Sequence, residues 1–141
     1  MYVSTEPTPL SAALSRVGDR WSLLIVDALL DGPRRFNDLQ AAVDGIAPNI
    51  LSRRLSDLEQ QGVLSTSPYS KRPLRVTYEL TAAGLELGSA LRLLAQWGAV
   101  HADTDEAIRH EACGTPVQAR WYCPTCARSV DEGDASDLTY V

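Results

Sequence analysis

Four side chains in the last third of the chain have the types and the spacing of metal ligands. The stretch HEACGTPVQARWYCPTCA holds His110-x2-Cys113 and Cys123-x2-Cys126, with nine residues between the pairs. Two ligands separated by two residues fit the tip of a tight turn. Two such tips can close a tetrahedral site of three thiolates and one imidazole, and that donor set suits zinc. A structural ion is expected, because four protein ligands leave no open position for a reacting water. The intervening TPVQARWY alternates in polarity and reads as the hairpin of a small ribbon. The competing reading is a set of reduced surface thiols without metal. Ala127 favours that rival, because the residue after a knuckle's second cysteine often needs φ > 0, where glycine is easier.

A second group of residues lies in PNILSRRLSDLEQQG, residues 48 to 62. Leu51, Leu55 and Leu58 recur at i, i+4 and i+7, which commits one face of a helix to a core. Asn49, Arg53 and Ser56 fall on the opposite face, with Ser52 and Arg54 at its margins and Pro48 in the first turn. Asparagine and arginine are the side chains that bond bidentately to adenine and guanine edges. Ser52 and Arg54 are better placed for phosphates. The plain alternative is a solvated face, since such residues are common on helix surfaces.

Charge is distributed in a way that suits the first of these readings. The chain has 141 residues and a net charge of −5. Residues 34–75, however, hold seven basic and four acidic side chains, while residues 101–141 hold three basic and eight acidic. Salt screens charges beyond about 10 Å at 0.1 M, so the basic island acts locally. Its other cations are Arg34, Arg35, Lys71, Arg72 and Arg75. The polar stretch Ser70 to Arg72 is expected to touch phosphate or enter a minor groove, with Arg75 supporting the hairpin. Charge that merely protects an edge hairpin is the bland version of the same pattern. Arg34 and Arg35 are candidates for backbone contacts.

Nothing points to catalysis. The helical region has no Ser/His/Asp or Cys/His set and no glycine-rich phosphate loop, so no catalytic residue is assigned and no enzyme is expected. No apolar run approaches the roughly 18 residues of a membrane span. The opening MYVSTEPTPL lacks the pattern of a secretory signal, and a cytoplasmic protein is expected.

The elements that must position these residues follow from periodicity. Helices are expected from about Leu10 to Val17, closed by Gly18, and from Asp19 to Leu30, stopped by Gly32-Pro33. A short helix carries Phe36, Leu39 and Val43, and the helix of residues 48–61 follows. Period 2 then marks strands at Leu64–Tyr69 and Arg75–Leu80, joined by Ser70-Lys71-Arg72-Pro73. Thr81 is a candidate N-cap for a long helix to about Val100. The fold class is mostly α with a small β-hairpin: a winged helix-turn-helix domain (9–101), a zinc-ribbon-like tail (108–130) and an acidic, mobile terminus (131–141). Winged helices lay the second helix of the turn motif in the major groove.

GDRWSLLIVDALLDGPRRFNDL, GIAPNILSRRLSDLEQQGV, RVTYELTAAG and LLAQWG, in this order, closely resemble the HxlR-type winged-helix regulators of bacteria, relatives of the MarR group. The resemblance spans about Pro9 to Gly98 and implies a homodimeric regulator that binds double-stranded operator DNA. Many members carry a cysteine just before the proline that opens the first helix. Here that position is Thr8, so a redox response would have to use the C-terminal cysteines.

The last long helix supports self-association. Leu87, Leu91 and Leu94 form one apolar stripe and Leu93, Trp97 and Val100 another, wider together than a one-sided surface helix needs. Leu10, Leu14, Leu93, Trp97 and Val100 are the expected dimer contacts, although the tail could cover the second stripe instead. Trp21 and Trp97 could line a pocket for a small-molecule effector. Aromatics at helical spacing are more often core or interface, and core is the reading taken here. His101 is read as solvated. The alternative to a DNA-binding regulator is a protein-interaction module that has lost DNA reading and docks a partner through the acidic ribbon.

Overall fold

The computed structural model describes residues 6–102, 108–130 and 138. The acidic terminus at 131–141, expected to be mobile, lies outside the described residues except for Leu138.

Each helix begins where a capping side chain or a proline permits it. Thr8 accepts a hydrogen bond from the Ser11 N–H at 3.1 Å and opens α1 (Pro9–Val17). Asp19 caps α2 (Arg20–Leu29) by accepting from the Ser22 N–H at 3.0 Å. A two-residue strand β1 (Arg34–Arg35) leads into α3 (Phe36–Ala42), and Gly45, at φ +77°, turns the chain toward α4 (Pro48–Gln60). Pro48 occupies the first turn of α4, where its missing N–H would have had no partner. Gly62, at φ +72°, ends that helix and feeds the hairpin.

The hairpin consists of β2 (Leu64–Lys71) and β3 (Leu74–Leu80), antiparallel, with Leu64 opposite Leu80 and Lys71 opposite Leu74. It is longer than the alternation suggested. A register shift between Pro68 and Ser70 breaks the simple period, so pairing continues to Lys71 and the tip is only Arg72-Pro73, joined by a cis peptide bond. β1 adds on the other side of β3, giving the order β1-β3-β2. Thr81 accepts from the Gly84 N–H at 3.2 Å and starts α5 (Ala82–His101) as expected.

The described residues of the first compact unit, 1–91, share one core. Ile25, Val26 and Leu29 from α2 meet Leu39, Leu51, Leu55, Leu58 and Leu64, all of them buried. Each such side chain contributes about 1.5–3 kcal/mol on burial. Trp21 packs at the edge of this core as expected. Gly84 lets α5 lie close against the start of β2, since a Cβ there would stand 2.1 Å from the Val63 carbonyl oxygen.

The second unit, 92–141, contains the end of α5 and the tail. Its hairpin is β4 (Trp121–Cys123) paired with β5 (Arg128–Val130), with Cys123 opposite Arg128. The expectation that TPVQARWY forms the hairpin is corrected here. Only Trp121 and Tyr122 of it are strand, and the turn is the Cys123–Cys126 segment itself. Alternation was misleading because residues 115–122 are exposed throughout and have no second face to bury.

Candidate nucleic-acid interface

Helix α4 divides cleanly. Leu51, Leu55 and Leu58 are buried, while Pro48, Asn49, Ser52, Arg53 and Ser56 are exposed. The leucines fix the roll of the helix, and that roll presents Asn49, Arg53 and Ser56 outward. Among the ion pairs and side-chain hydrogen bonds of the described residues, none engages the Arg53 guanidinium. α3, the turn at Gly45 and α4 form the helix-turn-helix, with α4 in the position of the second helix, the one that such motifs lay in a major groove.

Arg54 has a different environment. It is half-buried, with Nε 3.3 Å from Asp19 Oδ1 and Nη1 3.3 Å from Asp57 Oδ2. The Nε contact is an ion pair without aligned hydrogen-bond geometry, whereas Nη1 donates to Asp57. Partial burial pushes the Asp19 carboxyl up, but it is outweighed by hydrogen bonds from the Ser22 hydroxyl and N–H, the Arg54 charge and the Trp21 N–H. The carboxyl is held below its ordinary value. Asp19 thus joins the start of α2 to the middle of α4 through one guanidinium.

The sign of the resulting pH dependence is fixed. A carboxyl depressed in the folded state adds stability that is complete above its unfolded value, about 3.9, and is lost as pH falls through the folded value. Asp19→Asn keeps a capping acceptor but not the charge. The variant should be less stable than the parent in urea at pH 7, and the gap should narrow at pH 3. A gap of equal size at both pH values would show that ionisation plays no part.

The two arginines before α3 also separate. Arg34 Nε donates to the Ala28 carbonyl at 2.7 Å, satisfying a group left open at the end of α2, and its Nη2 lies 3.8 Å from Asp31. Arg35 is exposed, and its guanidinium sits 4.3 Å from the centre of the Tyr69 ring. That contact ties the entry to α3 to the hairpin. Tyr69 was not singled out from sequence, and nothing in the local pattern pairs it with a residue 34 positions earlier. In the wing, Lys71, Arg72 and Arg75 are exposed and Ser70 is half-buried.

The four sulfur and imidazole ligands form two pairs. His110 Nδ1 lies 3.3 Å from Cys113 Sγ, and Cys123 and Cys126 are hydrogen-bonded to each other. Thr115, through side chain and backbone, and then His110 hold the Cys113 thiol below its ordinary value. Hydrogen bonds from Cys126 do the same for Cys123, which in turn pushes Cys126 up. Among the described residues, no group of three or more His, Cys, Asp or Glu side chains is gathered tightly enough to hold a metal ion.

Of the expected dimer contacts, Leu10 and Leu14 are 64% and 52% exposed. In α5, Leu91 is buried and Leu87 packs on the core, but Leu94 and Leu93 are exposed, as are Trp97 (62%) and Val100 (69%). The reading of Trp97 as a core residue is therefore corrected. Its only ring partner among the described residues is His101, stacked at 4.4 Å. His101 is exposed but not alone, since its Nδ1 also lies 3.0 Å from the Trp97 carbonyl oxygen. Within the second unit a cavity of about 830 Å³ is lined by Leu93, Trp97 and Val100 of this stripe together with Gln118, Trp121 and Val130 of the tail.

With this geometry in place, comparison with known proteins is decisive. Residues 16–106 match the model of the HxlR-like helix-turn-helix family. The chain belongs to that family. An HTH-type transcriptional regulator of Mycobacterium tuberculosis is 36% identical over 129 residues, covering 89% of this chain and 81% of the relative. The solved structure of a proposed transcription factor from Pseudomonas aeruginosa, PA1374, is 34% identical with a TM-score of 0.68, covering 94% of this chain and 90% of the other. At that coverage the likeness runs past α5 into the tail. The reduced form of the redox regulator HypR is 27% identical with a TM-score of 0.64, covering 68% and 95%. This HxlR-type chain is a helix-turn-helix transcription regulator, and these relatives are named as regulators rather than enzymes. No helix among its described residues is long and apolar enough to cross a membrane.

Proposed function

We propose that the protein is a homodimeric regulator that reads an inverted-repeat operator with α4 and holds the flanking backbone with its β2–β3 wing. The observation that carries this reading is the exposed face of α4. Asn49, Arg53 and Ser56 stand outward on a helix whose opposite face is locked by three buried leucines. Arg53 and Asn49 are assigned to base edges. Ser52, Lys71, Arg72 and Ser70 are assigned to phosphates, and Pro48 and Ser56 to close approach. Arg35 reaches the backbone from the base of the wing. Arg34 and Arg54 serve DNA binding through the elements they hold in place, given their contacts to Ala28, Asp19 and Asp57.

The dimer is supported by the apolar side chains that each unit leaves open, Leu10 and Leu14 in the first and Leu93, Trp97 and Val100 in the second. A symmetric copy is the commonest cover for such a surface. Two recognition helices about 34 Å apart would then meet half-sites one helical turn apart.

The test separates the roles by salt and sequence. Arg53→Ala should cost about 1–3 kcal/mol on the operator and relax preference at one base pair. Lys71→Ala with Arg72→Ala should weaken binding to operator and random DNA alike and flatten the salt slope by about one for each phosphate no longer neutralised. Equal effects on both DNAs for Arg53→Ala would move Arg53 to the backbone. A parent protein that prefers no sequence upstream of its own gene would overturn the operator reading.

A further inference from the structure

The tail from 108 to 130 has defined turns and a hairpin, yet not one of its residues is buried. A segment this short cannot be stabilised by a core it does not have, and small folds in that position rely on disulfides or a metal. All three cysteines are free.

The two ligand pairs sit in turns built to the same plan. In the first, the His110 N–H donates to the Thr115 carbonyl at 2.9 Å, the Gly114 N–H donates to the His110 carbonyl at 2.7 Å, and Arg109 bridges to Pro116. In the second, Cys123 pairs with Arg128, five residues on, as His110 does with Thr115. The residue after the second ligand is left-handed in both, Gly114 at φ +69° and Ala127 at φ +52°. Ala127 is the one non-glycine residue with positive φ among the described residues. Such a conformation is costly for alanine and persists where surrounding geometry demands it. The feature that counted against a knuckle in the sequence is thus present in the fold despite the wrong residue type.

We infer that these turns are two zinc knuckles and that His110 Nδ1, Cys113, Cys123 and Cys126 together bind one structural zinc ion per chain. Nδ1 is the imidazole donor because it is the nitrogen that faces Cys113 Sγ. The ion supplies the cross-link that the exposed tail lacks, drawing the two tips into a tetrahedral set. Binding releases the thiol protons to solvent, as coordination of thiolates requires. The inference is independent of DNA reading, since the core of the first unit uses none of these residues.

The test uses the whole chain, purified under reducing conditions and loaded with zinc alone. Native mass spectrometry should show one zinc per chain. Cobalt(II) in its place should give the visible bands of a tetrahedral ion and near-ultraviolet thiolate charge transfer. Cys123→Ser and Cys126→Ser should abolish both signals. His110→Ala and Cys113→Ser should each weaken zinc binding by more than about 100-fold, beyond what loss of an outer-shell partner costs. Far-ultraviolet circular dichroism should stay helical in every variant, so that metal loss is not confused with unfolding. Reduced protein that takes up no zinc would overturn the site. Zinc held equally well by His110→Ala and Cys113→Ser would reduce it to an isolated dithiol and would also overturn it.

Discussion

Trp97→Glu is expected to convert the protein from a species of twice the 15.3 kDa chain mass to a monomer, and to remove tight operator binding in the same step. Both effects come from one side chain because Trp97 is 62% exposed on α5, next to Leu93 and Val100 on the same stripe. Burying a carboxylate without a partner costs several kcal/mol, more than a rim contact can restore. Each monomer would still present Asn49 and Arg53, but it would engage a single half-site and forgo the contribution of the second. Sedimentation equilibrium at micromolar concentration reads the first effect and operator titration the second. A parent chain that sediments as a monomer, with or without DNA, would remove the dimer. A variant that stays dimeric would move the interface elsewhere.

Gly84→Ala is expected to destabilise the first unit by about 3 kcal/mol or more, at the top of the range for overpacking. Alanine is otherwise the better helix former, by about 1 kcal/mol, so intrinsic propensity predicts the opposite sign. Geometry decides. The new Cβ would lie 2.1 Å from the Val63 carbonyl oxygen, a backbone atom that also accepts from the Thr81 N–H at 3.0 Å. Relief requires α5 to move away from Val63, which breaks the bonds that the Thr81 N–H and hydroxyl donate to the same carbonyl. Urea denaturation of the two proteins checks it, and an alanine variant as stable as the parent would show that α5 is free to shift.

The elements that position the interface were legible because their signals are local. α1, α2, α4 and α5 follow from a 3.6-residue apolar period, with Gly18 closing the first and Asp19, Pro48 and Thr81 standing at or next to the start of the other three. β1 was missed because two residues carry no period at all, and the pairing of Arg34 with Tyr78 is decided by the hairpin that arrives about 40 residues later. The destinations of Arg34 and Arg54 were equally out of reach. Both are basic residues in a basic island, and only the approach of Ala28 and Asp19 distinguishes them from Arg35 and Arg53. Trp97 fitted a helical stripe, but a period shows which side chains share a face and says nothing about whether anything covers it. The tail failed in a similar way, since alternation in TPVQARWY implied two faces where the fold has only solvent.

Thr8 has a further meaning once the whole chain is considered. Its hydroxyl caps α1, and with threonine there the stretch from Tyr2 to Ala112 contains no sulfur atom. Hydrogen peroxide acts on proteins chiefly through thiolates and thioethers. The helix-turn-helix region therefore offers it neither group, and every cysteine lies at residue 113 or beyond. Thiol and thioether oxidation beyond Met1 is confined to Cys113, Cys123 and Cys126 in the tail.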